Sequence, residues 1–333
     1  MQAKIITSIL LSSLCLAPSF AADTPSYIAT KAINAPILDM AYNGSKMVAV
    51  GDRGHLLALI DGKWQQLATP SQALLTAVTF VGKKGWAVGH DATILVTEDG
   101  GFTWAVAQTL PELDKPLLDV IALSQDNIIA IGAYGLTFRS HDGGATWTQD
   151  FFESLLYEED IEYLNELKEE DEALYLDERS AMLPHFNRIV PLRNGDLIIV
   201  GEMGLVAKSV DAGKTWLTEE SFYEGSLFDL VETKKGTLIA TGLRGNIFRS
   251  TDAGQNWEQI ETDVTTTINS VVQLKSGEIV MVANSGYMLI SKDDGRSFVT
   301  DIVAKGEDLV SVAQQRDGNI LIAGSAGVRS IGL

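Results

Sequence analysis

The sequence TEDGGFTW at residues 97–104 recurs along the chain with small changes, and this repeat indicates the fold. Each copy reads Ser/Thr-x-Asp-x-Gly-x-Thr/Ser/Asn-aromatic, and the starts of consecutive copies lie 43, 69, 41 and 41 residues apart. Repeats at periods of roughly 20–50 residues are typical of solenoids and propellers. The other four octets are SHDGGATW (140–147), SVDAGKTW (209–216), STDAGQNW (250–257) and SKDDGRSF (291–298).

A second motif, Gly-x-x-Gly, runs in step with the octets at 51–54, 132–135, 201–204, 242–245 and 324–327. Runs of about five β-type residues separate these turns, which indicates four short strands per repeat and an all-β fold. The sequence therefore predicts one seven-bladed β-propeller over residues 23–333. The last unit supplies only three runs, so we expect a strand at 27–32 to complete it and close the ring. The seven units begin near Leu38, Leu75, Leu118, Arg188, Phe228, Asn269 and Val310.

The chain is strongly acidic, with Lys+Arg 25 against Asp+Glu 44 and a formal net charge of −19. This balance argues against a nucleic-acid partner, because affinity for phosphates rests on Lys and Arg. Residues 1–22 resemble a secretory signal peptide, with Lys4 before an apolar run that is too short to span a membrane. We therefore expect a periplasmic protein with no membrane span. The single cysteine, Cys15, lies in that segment, so no disulfide is expected.

Each octet is predicted to form a hairpin turn rather than a ligand site. Its Asp can accept hydrogen bonds from the N–H groups of its own turn, and its aromatic residue can pack beneath. The alternative is a metal or ligand site at each turn. The four His residues show no ligand spacing, so the sequence predicts no metal and no cofactor.

Propeller topology places the octets on one face and the Gly-x-x-Gly turns on the other, together with the connections between blades. We call these the octet face and the loop face. Variable polar residues gather at the mouth of the channel on the loop face, and we take several of them as candidates for partner binding. The alternative is that a channel mouth is wet and polar in any case. The candidates are Arg53, Tyr134, Arg188 and Arg244 with, at the starts of inner strands, Asp39, Asp119 and Asp229.

The long gap between the second and third octets contains an acidic insertion at 150–184, between blades 3 and 4. Thirteen acidic residues lie between Asp150 and Glu178, against Lys168 alone. Leu spacing and the lack of Gly or Pro before Pro184 predict one or two amphipathic helices on the loop face. We add Glu158, Glu159 and Glu162 to the candidate binding residues. The alternative is a solvated charged helix on the rim.

The octets combined with the Gly-x-x-Gly turns resemble the Asp-box (BNR) propellers of the photosystem II stability/assembly-factor family. The resemblance covers roughly residues 27–333 apart from the insertion. It implies a non-enzymatic accessory or assembly factor of a membrane complex, monomeric when isolated. In photosynthetic organisms the family serves photosystem II assembly. Relatives in other bacteria are often encoded beside resistance-nodulation-division exporters, which implies such a transporter as the envelope partner here.

Asp-box turns also occur in sialidases, which gives the alternative of a glycoside hydrolase or carbohydrate-binding propeller. Sialidase chemistry needs three Arg for the substrate carboxylate, a Tyr nucleophile with a Glu partner, and an acidic acid/base residue. Only Arg53, Arg188 and Arg244 fall at the predicted mouth. The sequence therefore favours a protein-binding role without catalysis.

Overall fold

A computed structural model describes residues 24–219 and 221–332. It contains seven antiparallel sheets, each with its strands ordered outward along the chain. The innermost strands contact one another in sequence, and the first, Ile37–Tyr42 (β1), also contacts the innermost strand of the last sheet, Leu309–Gln314 (β25). The predicted seven-bladed β-propeller is therefore confirmed.

The strands of the first three blades are short, as the spacing of turn residues predicts. Blade 1 consists of β1, Met47–Gly51 (β2), Leu56–Ile60 (β3) and Lys63–Leu67 (β4). Blade 2 consists of Leu75–Val81 (β5), Lys84–Gly89 (β6), Ile94–Thr97 (β7) and Ala105–Gln108 (β8). Blade 3 consists of Leu117–Ala122 (β9), Ile128–Gly132 (β10), Thr137–Ser140 (β11) and Thr148–Asp150 (β12).

The remaining blades repeat this pattern. Blade 4 consists of Phe186–Pro191 (β13), Leu197–Gly201 (β14), Val206–Ser209 (β15) and Leu217–Thr218 (β16). Blade 5 consists of Leu227–Glu232 (β17), Leu238–Gly242 (β18), Ile247–Ser250 (β19) and Glu258–Ile260 (β20). Blade 6 consists of Ile268–Gln273 (β21), Ile279–Ala283 (β22), Tyr287–Ser291 (β23) and Val299–Ile302 (β24). Blade 7 consists of β25, Ile320–Gly324 (β26) and Gly327–Ile331 (β27).

The core lies between blades. Seven buried apolar clusters each join the facing surfaces of two neighbouring sheets, including the pair formed by blades 7 and 1. The second strand of a blade is covered on both faces, so β10 (IIAIG) and β14 (LIIVG) are buried at every residue. This explains why these strands appear in the sequence as unbroken apolar runs rather than as alternating patterns.

The octets form hairpin turns, as the sequence predicts. In blade 4, Oδ1 of Asp211 accepts hydrogen bonds from Lys214 N at 3.0 Å and Thr215 N at 2.9 Å. Trp216 Nε1 donates to the carbonyl of Gly213 at 3.0 Å and closes the turn from below. The same geometry in blade 3, led by a hydrogen bond from Thr146 Oγ1, lowers the pKa of Asp142 to about 2.

The Gly-x-x-Gly turns need glycine at both ends because backbone approaches them closely. A Cβ on Gly201 would lie 2.2 Å from the carbonyl oxygen of His185, just before the inner strand. A Cβ on Gly204 would lie 1.6 Å from the carbonyl oxygen of Tyr223, in the connection to the next blade, and Gly204 has a φ of +69°. The motif therefore lets the blade-to-blade connection cross directly over the turn.

The prediction of a closing strand at 27–32 is wrong. This segment runs beside β4 instead, where Ala29 N donates to Gln66 Oε1 at 2.8 Å and Gln66 Nε2 donates to the Tyr27 carbonyl at 2.9 Å. A 3₁₀ turn at Ala32–Asn34 then leads into blade 1. Because these bonds go to a side chain of blade 1, no ladder forms with β27, and blade 7 has three strands among the described residues.

The acidic insertion is helical, as predicted, and lies between β12 and β13. It contains Glu158–Glu170 (α1) and Glu172–Arg179 (α2), which contact each other. Asp171 caps α2 by accepting hydrogen bonds from Ala173 N and Leu174 N, both at 3.1 Å. Neither helix is long and apolar enough to cross a membrane, and no other helix of the described residues is either. The predicted signal peptide at 1–22 lies outside the described residues.

Candidate functional site

The inner strands bring charged side chains together at the mouth of the channel. Arg188 on β13 contacts Asp119 on β9 through Nη1 and Asp229 on β17 through Nε, each at 3.2 Å. The space left beside them is about 60 Å³, enough for only a few water molecules. Arg188 thus links three consecutive blades at the mouth of the channel.

The three predicted Asp residues also hold neighbouring blades together. Each carboxylate accepts a backbone hydrogen bond from the inner strand of the next blade, and each follows a β-bulge at the start of its own strand. Asp119 and Asp229 are 3% and 4% exposed, so we leave both out of the surface that a protein partner could touch. The bonds are Val78 N to Asp39 at 2.9 Å, Ile189 N to Asp119 at 2.8 Å and Val271 N to Asp229 at 2.8 Å.

Burial and neighbouring charges both shift the pKa values of this cluster. For the carboxyls burial raises the pKa, whereas the nearby Arg188 guanidinium lowers it. Burial raises the pKa of Asp39 to about 6, although the Arg188 guanidinium and the Val78 N–H oppose it. Burial also raises the pKa of Asp119. The Asp119 carboxylate, followed by those of Asp229 and Asp39, raises the pKa of Arg188 above its usual value. The cluster is therefore an ion-pair network in which burial raises the pKa of two carboxyls, those of Asp39 and Asp119.

The loop face displays a set of equivalent, exposed side chains. In four of the Gly-x-x-Gly turns, and in the variant turn 283–286 (ANSG) of blade 6, the third residue has a left-handed backbone and an exposed side chain. The turn of blade 7 at 324–327 does not share this conformation. Sequence reasoning placed Arg53, Tyr134 and Arg244 on this face, and the structure puts them at this position. The five residues, with φ from 52° to 63°, are Arg53, Tyr134, Met203, Arg244 and Ser285.

The insertion is anchored in the ring at its base. Phe152 packs against Phe186 and Trp216, with ring centroids 6.2 Å and 5.6 Å apart. Ser154 Oγ donates to the Trp216 carbonyl at 2.7 Å. The candidates Glu158, Glu159 and Glu162 lie exposed on the first two turns of α1. The structure therefore places these carboxylates on a fixed rim of the loop face.

Two grooves flank the insertion and differ in charge. The α1 groove, between α1 and blade 4, has a volume of about 310 Å³ and is lined by Leu155, Tyr157, Asp160, Glu202, Met203 and Glu219, among others. The α2 groove, between α2 and blade 3, has a volume of about 260 Å³ and is lined by Leu113, Lys115, Tyr134, Phe151, Leu176 and Arg179, among others. In the α2 groove Arg179 lies 4.3 Å above the Phe151 ring.

A third concavity lies on blade 5, next to Arg244. It is lined by Ser221, Tyr223, Leu243 and Asn246, and its volume is about 800 Å³. Arg53 lies on blade 1, where its Nε is 3.5 Å from Oδ2 of Asp52. The predicted candidates thus divide into a buried channel cluster and separate positions around the loop face.

Sequence reasoning did not select Met203, Lys115 or Arg179 as site residues. Met203 could have been found, because it occupies the same position in its Gly-x-x-Gly turn as Arg53 and Tyr134. Lys115 and Arg179 reach the α2 groove from a blade connection and from α2. No local pattern in the sequence shows that these two segments meet.

The family model of the photosynthesis system II assembly factor YCF48 matches residues 56–157 and 172–331. This chain belongs to that family. The family resemblance inferred from the octets and Gly-x-x-Gly turns is thereby confirmed. Between residues 56 and 331 the family model leaves out only 158–171, which belong to the acidic insertion.

Curated relatives match a short part of the chain. The photosystem II assembly protein Ycf48 of Synechococcus sp. (strain JA-2-3B'a(2-13)) is 43% identical over 54 residues, which are 15% of this chain and 16% of that protein. The Ycf48 protein of Synechococcus sp. (strain JA-3-3Ab) is 44% identical over 46 residues, 13% of this chain and 14% of that protein. The matched region thus spans about a sixth of these relatives or less.

Solved β-propeller structures, two of them described as YCF48, superpose on nearly the whole chain. YCF48 bound to D1 peptide superposes with a TM-score of 0.68 at 19% identity, covering 95% of this chain and 99% of that chain. YCF48 from Cyanidioschyzon merolae gives 0.68 at 16% identity, covering 92% and 97%. The WD40 β-propeller domain of Doa1 gives 0.65 at 12% identity, covering 92% and 96%. At these identities the likeness establishes the fold.

Proposed function

We propose that this chain is a protein-binding assembly factor whose loop face holds a segment of a membrane-protein subunit. The observation that carries the proposal is the left-handed residue of each turn. Five exposed side chains, among them Tyr134 and Arg244, are held in the same costly backbone conformation at equivalent positions around the loop face. Non-glycine residues in this conformation cost about 1 kcal/mol each and cluster at functional sites. Membership of the YCF48 family, and a family structure described as bound to D1 peptide, support the choice of partner.

We further propose that the chain has no catalytic activity. The sialidase alternative requires arginines that are free to bind a substrate carboxylate. Arg188 already binds Asp119 and Asp229, and Arg53 and Arg244 lie on blades 1 and 5. The family, described as an assembly factor, supports the same reading. A fluorogenic sialoside should therefore remain intact in the presence of the protein.

For location and partner, we propose an exported, monomeric protein that serves an envelope membrane complex. The signal-like segment at 1–22 supports export. A resistance-nodulation-division exporter is the first partner to test, on the resemblance described above. The acidic charge of the chain favours a partner with a basic surface.

The test is site-specific photo-cross-linking in cells, using a photoreactive phenylalanine analogue at one position at a time. Tyr134 probes the loop face. Phe102, an exposed aromatic residue on an octet, is the matched control on the opposite face. We expect cross-links from Tyr134 to a membrane-protein subunit, whose identity by mass spectrometry decides between an exporter and another complex. Equal cross-linking from Phe102, or none from Tyr134, would contradict the proposal.

A second variant tests the insertion. Replacing residues 158–179 by a short flexible linker removes both helices but keeps Phe152 and Leu183, which are buried in the core between blades 3 and 4. We expect the variant to keep the propeller fold, measured by circular dichroism, and to lose most of the Tyr134 cross-link. Undiminished cross-linking would remove the insertion from the docking surface.

A further inference from the structure

We propose that the α1 groove binds a peptide segment in which a large apolar side chain is flanked by Lys or Arg. This deepens the proposed function and rests on it, since it assigns the chemistry of the segment that the loop face would hold. Three observations support it: the apolar floor of the groove, the left-handed backbone that exposes the Met203 side chain, and the negative charge of the rim.

The floor of the groove is apolar and accessible. Leu155, Leu156 and Met182 are partly buried there, while Tyr157 and Met203 are 75% and 71% exposed at its edge. Large apolar side chains that gather at one groove, rather than singly, mark a surface that gains by being covered. Met adapts to ligands of different shape because its side chain is unbranched and polarisable. The volume of about 310 Å³ is enough for one or two side chains of a partner.

The backbone holds Met203 outward at a cost. Its φ is 54°, and the equivalent residues Arg53 and Ser285 have polar side chains that water solvates well. Met203 gains neither burial nor solvation from this position within the described chain. A costly conformation that exposes an apolar side chain is expected where a ligand uses that side chain.

The rim of the groove is anionic. Asp160, Glu202 and Glu219 line it, and no Lys or Arg does so among the described residues. Within the same part of the chain neither Asp160 nor Glu219 forms an ion pair, while Glu202 Oε2 lies 2.5 Å from His185 Nδ1. The α2 groove, by contrast, contains Lys115 and Arg179. Charge complementarity therefore selects a cationic partner for the α1 groove.

The experiment measures binding of fluorescent peptides to the full chain without its signal segment, by fluorescence polarisation. The probe peptide has a central Phe between two pairs of Lys. One control peptide replaces Phe by Ser, and another replaces every Lys by Glu. We expect measurable binding of the probe alone. Binding of the Glu peptide with equal affinity, or no binding of the probe, would overturn the proposal.

Two variants locate the binding. Met203→Ser copies the residue that blade 6 has at this position, so the turn should keep its shape, and we expect about tenfold weaker binding of the probe. Val210→Ser is the matched control, because Val210 is 74% exposed in the octet of the same blade on the opposite face. The double variant Asp160→Lys, Glu219→Lys should weaken binding at least as much as Met203→Ser. Unchanged affinity in Met203→Ser or in the double variant would overturn the assignment of the groove.

The same variants separate this inference from the proposed function. If Tyr134 still cross-links a membrane-protein subunit with full yield in both groove variants, the proposed function stands and the α1 groove inference falls. If the groove variants lose the cross-link and the probe peptide competes for it, both stand. If Tyr134 gives no cross-link in the unmodified chain, the proposed function falls, and with it the inference that rests on it.

Discussion

Arg188 Nε lies 3.2 Å from Oδ1 of Asp229, the inner carboxylate of the next blade. The same guanidinium reaches back to Asp119 of the preceding blade, and Asp119 and Asp229 each bind a backbone N–H of the blade that follows it. The polar residues at the mouth therefore act first as connections between blades.

Arg188→Met should lower the free energy of unfolding by about 2 kcal/mol, because two buried carboxylates lose their cation. We expect a smaller loss of stability than for a fully buried ion pair, because 35% of the Arg188 side chain is exposed and water can partly solvate the two carboxylates in its place. Urea unfolding measures the change. Arg193→Met, at an exposed residue in the same blade, should have almost no effect. Adding Asp119→Asn and Asp229→Asn to Arg188→Met should recover part of the loss, and no recovery would contradict the ion-pair account.

Asp39 should make stability depend on pH. Its pKa is raised to about 6 in the folded chain, chiefly by burial, while the carboxyl of the unfolded chain titrates near its ordinary value of 3.8. Between these values the folded state binds more protons than the unfolded state, so the free energy of unfolding falls as pH rises. Asp39 keeps some contact with the channel, and we therefore expect a fall of up to about 2 kcal/mol.

The measurement for Asp39 is urea unfolding of the wild type and Asp39→Asn from pH 4 to pH 7. In the variant the free energy of unfolding should no longer fall as pH rises, because Asn cannot ionise. The Asn amide oxygen can still accept the hydrogen bond from Val78 N. Taking the difference between the two proteins cancels the contributions of other carboxyls. Parallel pH profiles of the two proteins would show that Asp39 titrates normally.

Octet aromatics should contribute to stability and not to binding. Trp104→Ala should lower the free energy of unfolding by about 3 kcal/mol, since Trp104 is 9% exposed and packs edge-on against Phe80 with centroids 6.0 Å apart. Leu217→Ala, at a residue that is 72% exposed, should be nearly neutral. Cross-linking from Tyr134 should be unchanged in both. A weaker cross-link in Trp104→Ala at unchanged stability would give the octets a binding role.

Trp216→Ala is expected to behave differently from Trp104→Ala. Trp216 is fully buried and supports Phe152 and Ser154 at the base of the insertion. Its loss should therefore lower stability and also weaken the Tyr134 cross-link. Comparing the two tryptophan variants separates the shared role of the octet from the local role of blade 4.

Gly204→Ala should be far more destabilising than Gly195→Ala. Both residues have positive φ, at 69° and 93°, so they share a conformational cost of about 1 kcal/mol. A Cβ on Gly204 would also meet the Tyr223 carbonyl oxygen, whereas no heavy atom lies within 4 Å of a Cβ on Gly195. Thermal unfolding of the two variants measures the difference. Equal melting temperatures would show that the blade connection does not press on the turn.

The number of blades and the nature of the turns can be predicted from the amino-acid sequence alone. An octet contains both the Asp acceptor and the N–H donors that it binds, as in Asp211 and Thr215, so its geometry follows from neighbours along the chain. The insertion could also be predicted as helical, because α1 and α2 are built from strong helix formers and capped locally by Asp171. Such features need no knowledge of distant residues.

How distant segments meet depends on the packing of the blades and could not be predicted from the sequence. Residues 27–32 have strand-like character, yet they bind Gln66 of blade 1 rather than pair with β27. Asp119 looks like a surface candidate in the sequence, but the packing of blade 4 buries it against Arg188 and Ile189. The charge of each groove likewise depends on segments far apart in the chain, such as Asp160 with Glu219. Burial, strand pairing and charge complementarity arise between residues of different blades. A repeat motif within one blade therefore does not predict them.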